Sequence, residues 1–269
     1  MGEETESRLY RFYSTDVAPC PYLAERQERR LVALVDGEEG NARLDLLTEA
    51  GFRRSQGYLY KPVCPDCRLC VPVRIAVESF RPGRSFRRVL ARNRDLSGQV
   101  IDAVSTDEQY RLFHSYLRRR HRDGGMVRMD RGAYTEMVEV APETTRLVEF
   151  RDPSGSLIGV SLTDFVRSGL SGVYKFFEPE AAQRSLGTFI ILWHVEHATS
   201  TSTSPGGRSA AAIVATAARV TPSPCSSRTA LNWSAMPLRS PGQSGSALPA
   251  SNGRQNAPSS RSSGPKRAL

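Results

Sequence analysis

The chain has 269 residues, 39% of them hydrophobic and 24% charged, with a formal net charge of +9; that length sets one large or two small domains. Eight of its 37 basic residues and none of its 28 acidic ones lie in 199–269, so the body is near neutral and only local clustering speaks about partners. The acidic start Met1-Gly-Glu-Glu-Thr-Glu6 lacks a secretory core, and the run of large apolar residues Phe189–Trp193 is too short to span a bilayer; we expect a cytoplasmic protein with no membrane partner, whose thiols stay reduced.

In residues 1–60 short apolar runs alternate with charges, and Leu44-Asp-Leu-Leu47 reads as a helix closing at Gly51. Residues 60–100 hold a cysteine cluster, a strand at 71–77 and an arginine-dense segment. Thr106-Asp-Glu-Gln109 has the form of a capping box, a hydroxyl at the cap with an amide three residues on. Tyr110, Phe113 and Leu117 then fall at helical spacing, and Gly124-Gly125 ends the pattern. Three strand-like runs follow at 145–150, 157–162 and 173–177. The first two are joined by the turn sequence Asp152-Pro-Ser-Gly155. A loop through Glu178-Pro179 leads to Arg184-Ser-Leu-Gly187-Thr188 and a helix over 188–198. Strands, then strand–loop–helix, predict a mixed α/β layer fold.

From Thr199 the composition changes to Ser, Ala, Pro, Gly and Arg. So few large apolar residues cannot offset the entropy of ordering, so 199–269 reads as disordered, with 210–220 at most transiently helical.

Three constellations carry chemistry. Cys64-Pro-Asp-Cys67-Arg-Leu-Cys70 is a C-x2-C-x2-C run, and Cys20 offers a fourth thiol from an earlier loop. Soft thiolates at this spacing suit tetrahedral zinc or an Fe–S cluster, with a regulatory disulfide as a further option. Arg74, Arg81, Arg84, Arg87, Arg88, Arg92 and Arg94, interleaved with Phe80 and Phe86, have the charge pattern of a phosphate-binding surface. A second group, Arg118, Arg119, Arg120 and Arg122, ends the capped helix, where positive charge also suits the dipole. Finally, Arg184-Ser-Leu-Gly187-Thr188 at a helix start offers backbone amides to an anion.

That last loop resembles the R-x-x-G-x-G/A loop of the acyltransferase superfamily that includes the GCN5-related N-acetyltransferases. Phe189 stands where the loop's last small residue belongs, which argues against coenzyme A. A wider set of segments is similar to the bacterial aminoacyl-tRNA–protein transferases. These are Pro19-Cys-Pro-Tyr-Leu23, Gly51-Phe-Arg-Arg-Ser-Gln56, Tyr60-Lys-Pro62 with the three cysteines, and Phe80-Arg-Pro-Gly-Arg-Ser-Phe-Arg-Arg88. Gly124-Gly-Met126, Thr145-Arg-Leu-Val-Glu149 and Arg184-Ser-Leu-Gly-Thr188 continue the match in family order, from about Tyr10 to Ala198.

The resemblance implies an α+β fold with a GNAT-like mixed sheet flanked by helices. Residues 1–100 would form an N-terminal cysteine-containing domain, 101–198 an acyltransferase domain and 199–269 an aberrant tail. It implies transfer of Leu, or Arg, from charged tRNA to proteins with N-terminal Asp or Glu, marking them for degradation. Arg81, Arg84, Arg87, Arg88, Arg184, Gly187 and Thr188 become candidates for tRNA contact. Arg53, Arg54, Lys61 and Arg74 are candidates for the acidic acceptor, and Cys20, Cys64, Cys67 and Cys70 for zinc or an Fe–S cluster. No catalytic residue is named: His114, His121, His194 and His197 read as helix-surface residues. Rival readings are an acetyl-CoA-dependent GNAT enzyme and a non-enzymatic cysteine–metal RNA-binding module.

The family's next strand, of the pattern V-Y-L-G-Y-W, is missing after Ala198. Our hypothesis is that the tail is read out of frame: Thr201-Ser-Thr-Ser-Pro205 can be encoded by bases that, two positions on, read Val-Tyr-Leu-Ala-Trp. A chain lacking that core strand is expected to be inactive or insoluble.

Overall fold

The computed structural model describes residues 10–35, 40–122, 124–202 and 212–218, with side chains described as far as Ala198. All of them lie within one compact unit, Met1–Leu238.

The chain opens with β1 (Tyr13–Ser14), β2 (Ala18–Pro19), β3 (Gln27–Glu28) and β4 (Arg30–Leu34), followed by helix α1 (Gly40–Glu49), β5 (Arg53–Ser55) and β6 (Tyr58–Pro62). Strands β2 and β3 form a separate ribbon, and the rest make an antiparallel sheet of order β1-β4-β6-β5. Helix α1 buries Leu44 and Leu47 against Ala33, Phe52 and Leu59. It stops where Gly51 takes a left-handed φ of 84°, a conformation that costs other residues energy.

Next come β7 (Cys70–Ala76), α2 (Arg84–Arg92), β8 (Ser97–Asp102), α3 (Asp107–Arg120), α4 (Arg131–Glu139), β9 (Thr145–Arg151), β10 (Leu157–Val166), β11 (Gly169–Phe177), α5 (Leu186–Ser202) and β12 (Ala212–Ala218). Their strands form a six-stranded mixed sheet of order β7-β12-β11-β10-β9-β8. The capping box at Thr106 is formed in both directions. From it α3 buries Leu112, Phe113, Tyr116 and Leu117, and the Phe113 ring meets Tyr134 of α4 and Tyr174 and Phe176 of β11. Side chains alternate across a strand, so Lys175, between Tyr174 and Phe176, faces the opposite side, where its Nζ meets the start of α5.

Two joints bind the sheets. Val166 at the end of β10 packs into the small core. Beside it Arg54 of β5 donates through Nε to Asp164 at 2.7 Å, with both side chains buried.

The element predictions hold for α1, β7, α3, β9, β10, β11 and α5, with the helix over 188–198 extending from Leu186 to Ser202. The tail requires a correction. Ala212–Ala218 is a strand, not a transient helix or disordered chain: it lies antiparallel to β7 over seven residue pairs and parallel to β11. Its sequence supplies β-branched Ile213, Val214 and Thr216, which suit a strand, and the gap between two open strand edges supplies the partners. Residues 203–211 and 219–269, the rest of the expected tail, lie outside the described residues. The division between sheets falls between Pro62 and Cys70, because β7 already belongs to the larger sheet.

Candidate functional site

Among the described residues, the only parallel neighbours in the large sheet are β11 and β12, in register at Ser171 with Val214. Beyond it β11 runs on to Phe177, paired with β10 on its other side, and leads through Glu178 and Pro179 into the loop before α5.

The loop itself is held by three ties. The Arg184 guanidinium grips Asp95 through two nitrogens at 3.0 and 2.8 Å, and Asn93, fully buried after α2, donates to the Arg184 carbonyl at 2.8 Å. Lys175 Nζ donates to the Gly187 carbonyl at 2.9 Å. The Arg184 contact holds the Asp95 carboxyl below its ordinary range. Burial pushes the Lys175 ammonium down to about 7, so near neutral pH its charged and neutral forms are both populated. A methyl at Gly187 would come within 3.2 Å of the Phe177 ring, so the loop lies flat on the strand.

Several site expectations change here. The amides of Thr188 and Phe189 both bond the Ser185 carbonyl at 3.0 Å, so the helix start offers fewer free donors than its sequence suggests. Arg184 is committed to Asp95 and acts on the loop rather than reaching outward. The Phe189 ring is buried edge-on to Phe150 at 5.6 Å, so the steric argument against a coenzyme A pyrophosphate loses its basis. His194 is not a helix-surface residue: it is buried, its Nδ1 lies 2.6 Å from the Ile190 carbonyl and its Nε2 2.9 Å from the Thr163 hydroxyl. Burial lowers its pKa to about 4, so the neutral ring donates from Nδ1 and accepts at Nε2. Lys175 is the residue that sequence reasoning missed, since nothing local distinguishes it from a surface lysine.

The arginine-dense segment forms α2, which has no buried residue. Arg81 and Arg87 bond nearby carbonyls, and Arg92 bonds the Gln183 carbonyl in the loop before α5. Arg84 and Arg88, one helical turn apart and exposed, make no side-chain hydrogen bond or ion pair among the described residues. The segment thus splits into arginines that fasten α2 and arginines that face solvent.

The acceptor candidates separate by burial. Arg54 is a correction: Nε goes to Asp164, one terminal nitrogen to the Gln56 carbonyl and the other to Thr145, so it is a joint and cannot greet a substrate. Lys61 and Arg74 converge on the carboxyl end of α1, donating to Ala50 and to Thr48 and Glu49 respectively, where cations satisfy orphan carbonyls. Arg53 instead lies beside Tyr60 and Cys70.

All four cysteines, with Arg53, Tyr22 and Glu28 among their neighbours, line one cavity of about 30 Å³. Cys20 reaches it from the turn after β2, Cys64 and Cys67 from the loop after β6, and Cys70 from the first residue of β7. Burial raises the Cys70 thiol, against the opposing pull of Arg53. The donor chemistry fits a soft metal or cluster, but among the described residues no three His, Cys, Asp or Glu side chains are arranged as a metal ion requires. The shared cavity is the firmer of these observations, because side chains rotate more readily than backbones move.

Among the described residues no helix is long and apolar enough to cross a membrane. Residues 18–88 match the family model described as arginine-tRNA-protein transferase, N terminus, and residues 108–205 its C terminus. The aspartate/glutamate leucyltransferase of Parvibaculum lavamentivorans is 48% identical over 198 residues, covering 74% of this chain and 82% of that protein. The enzyme of the same name from Nitrobacter hamburgensis is 49% identical over 195 residues, covering 70% and 76%. Among solved structures, L-PGS from Bacillus licheniformis overlays with a TM-score of 0.38 at 13% identity, covering 55% of this chain and 46% of that one, too slight a likeness to build on.

Proposed function

Because this chain belongs to the arginine-tRNA-protein transferase family, we propose that it transfers an aminoacyl group from charged tRNA to the N-terminal amine of proteins that begin with Asp or Glu. The relatives' names favour leucine over arginine as the cargo. In the reaction the amine attacks the carbonyl carbon of the aminoacyl ester, a C–N bond forms, the bond between that carbon and the ribose oxygen breaks, and the amine's proton goes to the departing ribose oxygen, which leaves as a hydroxyl. An ester is already activated and an α-amine has a pKa of about 8, so holding the two in line supplies much of the acceleration.

The observation that carries the reading is the braced loop and helix start that join β11, the parallel neighbour of β12, to α5. A GNAT-like acyltransferase would use that loop for its acyl donor. Lys175 braces the Gly187 carbonyl there and can hold or release a proton near neutral pH. Arg84 and Arg88, the solvent-facing arginines of α2, would meet phosphates, with Gly187 and Thr188 at the aminoacyl end. Arg53 is the acceptor candidate left after Arg54, Lys61 and Arg74 take structural partners. For the thiols of Cys20, Cys64, Cys67 and Cys70 we infer a structural site for zinc or an Fe–S cluster that holds the two loops and the start of β7 together. Metal content and visible absorbance of the purified chain test it, and a metal-free, colourless protein that melts normally would remove it.

The decisive assay incubates the full chain with radiolabelled Leu-tRNA and a peptide beginning with Asp. Label should appear on the peptide, less of it from Arg-tRNA and none from acetyl-CoA. Labelling from acetyl-CoA instead would overturn the reading.

A further inference from the structure

A second basic surface stands apart from α2. Arg111, Arg118, Arg119 and Arg122, with Tyr110 and His114, line an open groove of about 830 Å³ that Pro179 and Glu180 complete. Arg111, Ser115 and Arg118 recur at spacings of four and three, one stripe of α3, and Arg122 follows just past the helix end. Leu112, Phe113, Tyr116 and Leu117 form the buried face of the same helix. The dipole of α3 accounts for cations in its last turn, but Arg111 is the fifth of 14 residues and lies outside the reach of that effect. Among the described residues Arg111 and Arg118 form no direct ion pair, Arg111 acting on the Asp107 and Glu108 carboxylates only through space, and the one ion pair in the groove, Arg119 with Glu180 at 3.1 Å, is exposed on both sides, hence weak. Pro179 and Glu180 lie one residue past the end of β11, in the loop that leads to α5, so the groove borders the same loop as the proposed transfer site.

The geometry points to this groove as the seat of the tRNA phosphate backbone, an inference that rests on the proposed function. The Arg111-to-Arg118 stretch alone covers about 10 Å of helix. A line of cations that long matches successive phosphates, whereas one acidic side chain of a protein acceptor needs one guanidinium. The rings of Tyr110 and His114, 5.9 Å apart, add surfaces on which an unpaired base can stack.

The test is binding of uncharged tRNA to the full chain, followed by fluorescence anisotropy over a range of salt concentrations. Replacing both Arg118→Ala and Arg122→Ala should weaken binding roughly tenfold and flatten the log–log salt slope by about two, since each arginine neutralises one phosphate. The matching Lys substitutions should keep the slope, which separates lost charge from lost fold. An unchanged slope in the alanine variant overturns the inference. So does an unchanged slope joined to a raised KM for the Asp-starting peptide, which would make the groove the acceptor's. If Arg84→Ala with Arg88→Ala flattens the slope and the α3 pair does not, the groove is overturned while the transferase reading survives. A wild-type chain that binds no tRNA removes both.

Discussion

At the scale of single residues, the two buried charges with the clearest consequences are Arg54 and Lys175. Arg54 and Asp164 are 1% and 0% exposed, so neither can fall back on water if the other is removed. Asp164→Asn should therefore cost about 3–5 kcal/mol of unfolding free energy, measurable in urea. A loss under about 1 kcal/mol, the worth of an exposed pair, would show that the two do not bind the sheets. For Lys175 the sign follows from its pKa being depressed in the folded state, to about 7 from 10.5. Between those values the unfolded chain holds more protons, so stability rises with pH. Lys175→Met removes that dependence, and its stability advantage over the wild type should shrink by about 1.4 kcal/mol per pH unit between roughly pH 7.5 and 9.5. Parallel stability curves would mean that the lysine is not titrating inside the fold. Neither residue was legible in the sequence: an arginine beside Arg53 and a lysine in a strand gain their meaning from partners 110 and 12 positions away.

Among the elements, those whose sequence carries its own punctuation were the readable ones. The capping box opened α3, Gly51 closed α1, and Asp152-Pro-Ser-Gly155 joined β9 to β10, with Gly155 at a φ of 85°. Strands β4, β5 and β6 have three to five residues mixed with Arg, Tyr and Lys, too short to show alternation. Helix α2 was read as charge because four of its nine residues are arginines. The convergence of the cysteines on one cavity was legible from spacing, while the sorting of the arginines into braces and free cations was not, because it depends on which carbonyls the fold brings near. A close approach was equally invisible. Gly98 of β8 lets the Trp193 indole of α5 lie against the strand, and a methyl there would sit 2.5 Å from its nitrogen. Trp193 is also edge-on to Phe150 at 5.4 Å and stacked on His197 at 4.7 Å, so it has little room to retreat. Gly98→Ala should cost about 1–3 kcal/mol by overpacking. Gly57→Ala, whose new methyl would meet its nearest neighbour at 3.7 Å, serves as the control. Equal thermal midpoints for the two would deny the close approach.

For the whole molecule the question is what Ala212–Ala218 does. It fills the position between β7 and β11, and the family match ends at residue 205, before it begins. A chain ending at Ser202 should lose a large share of the ~5–15 kcal/mol that holds a domain together. If it instead unfolds at the same urea concentration as the full chain, β12 contributes nothing. The out-of-frame hypothesis is tested by the gene's bases across codons 199–206, where a second frame encoding Val-Tyr-Leu is expected and its absence would sink the idea.

The strand order also sets a timetable for synthesis. β12 is the last of these strands to leave the ribosome, yet it goes between β11 and β7, and β7 is made more than a hundred residues earlier. Until residue 218 emerges, the growing chain carries two bare strand edges facing an empty slot, the kind of surface that recruits other chains. Any segment of suitable length and β-forming composition that arrives at that moment can occupy it. A polypeptide whose native strand has been lost can thus still close its sheet with whatever the new reading supplies.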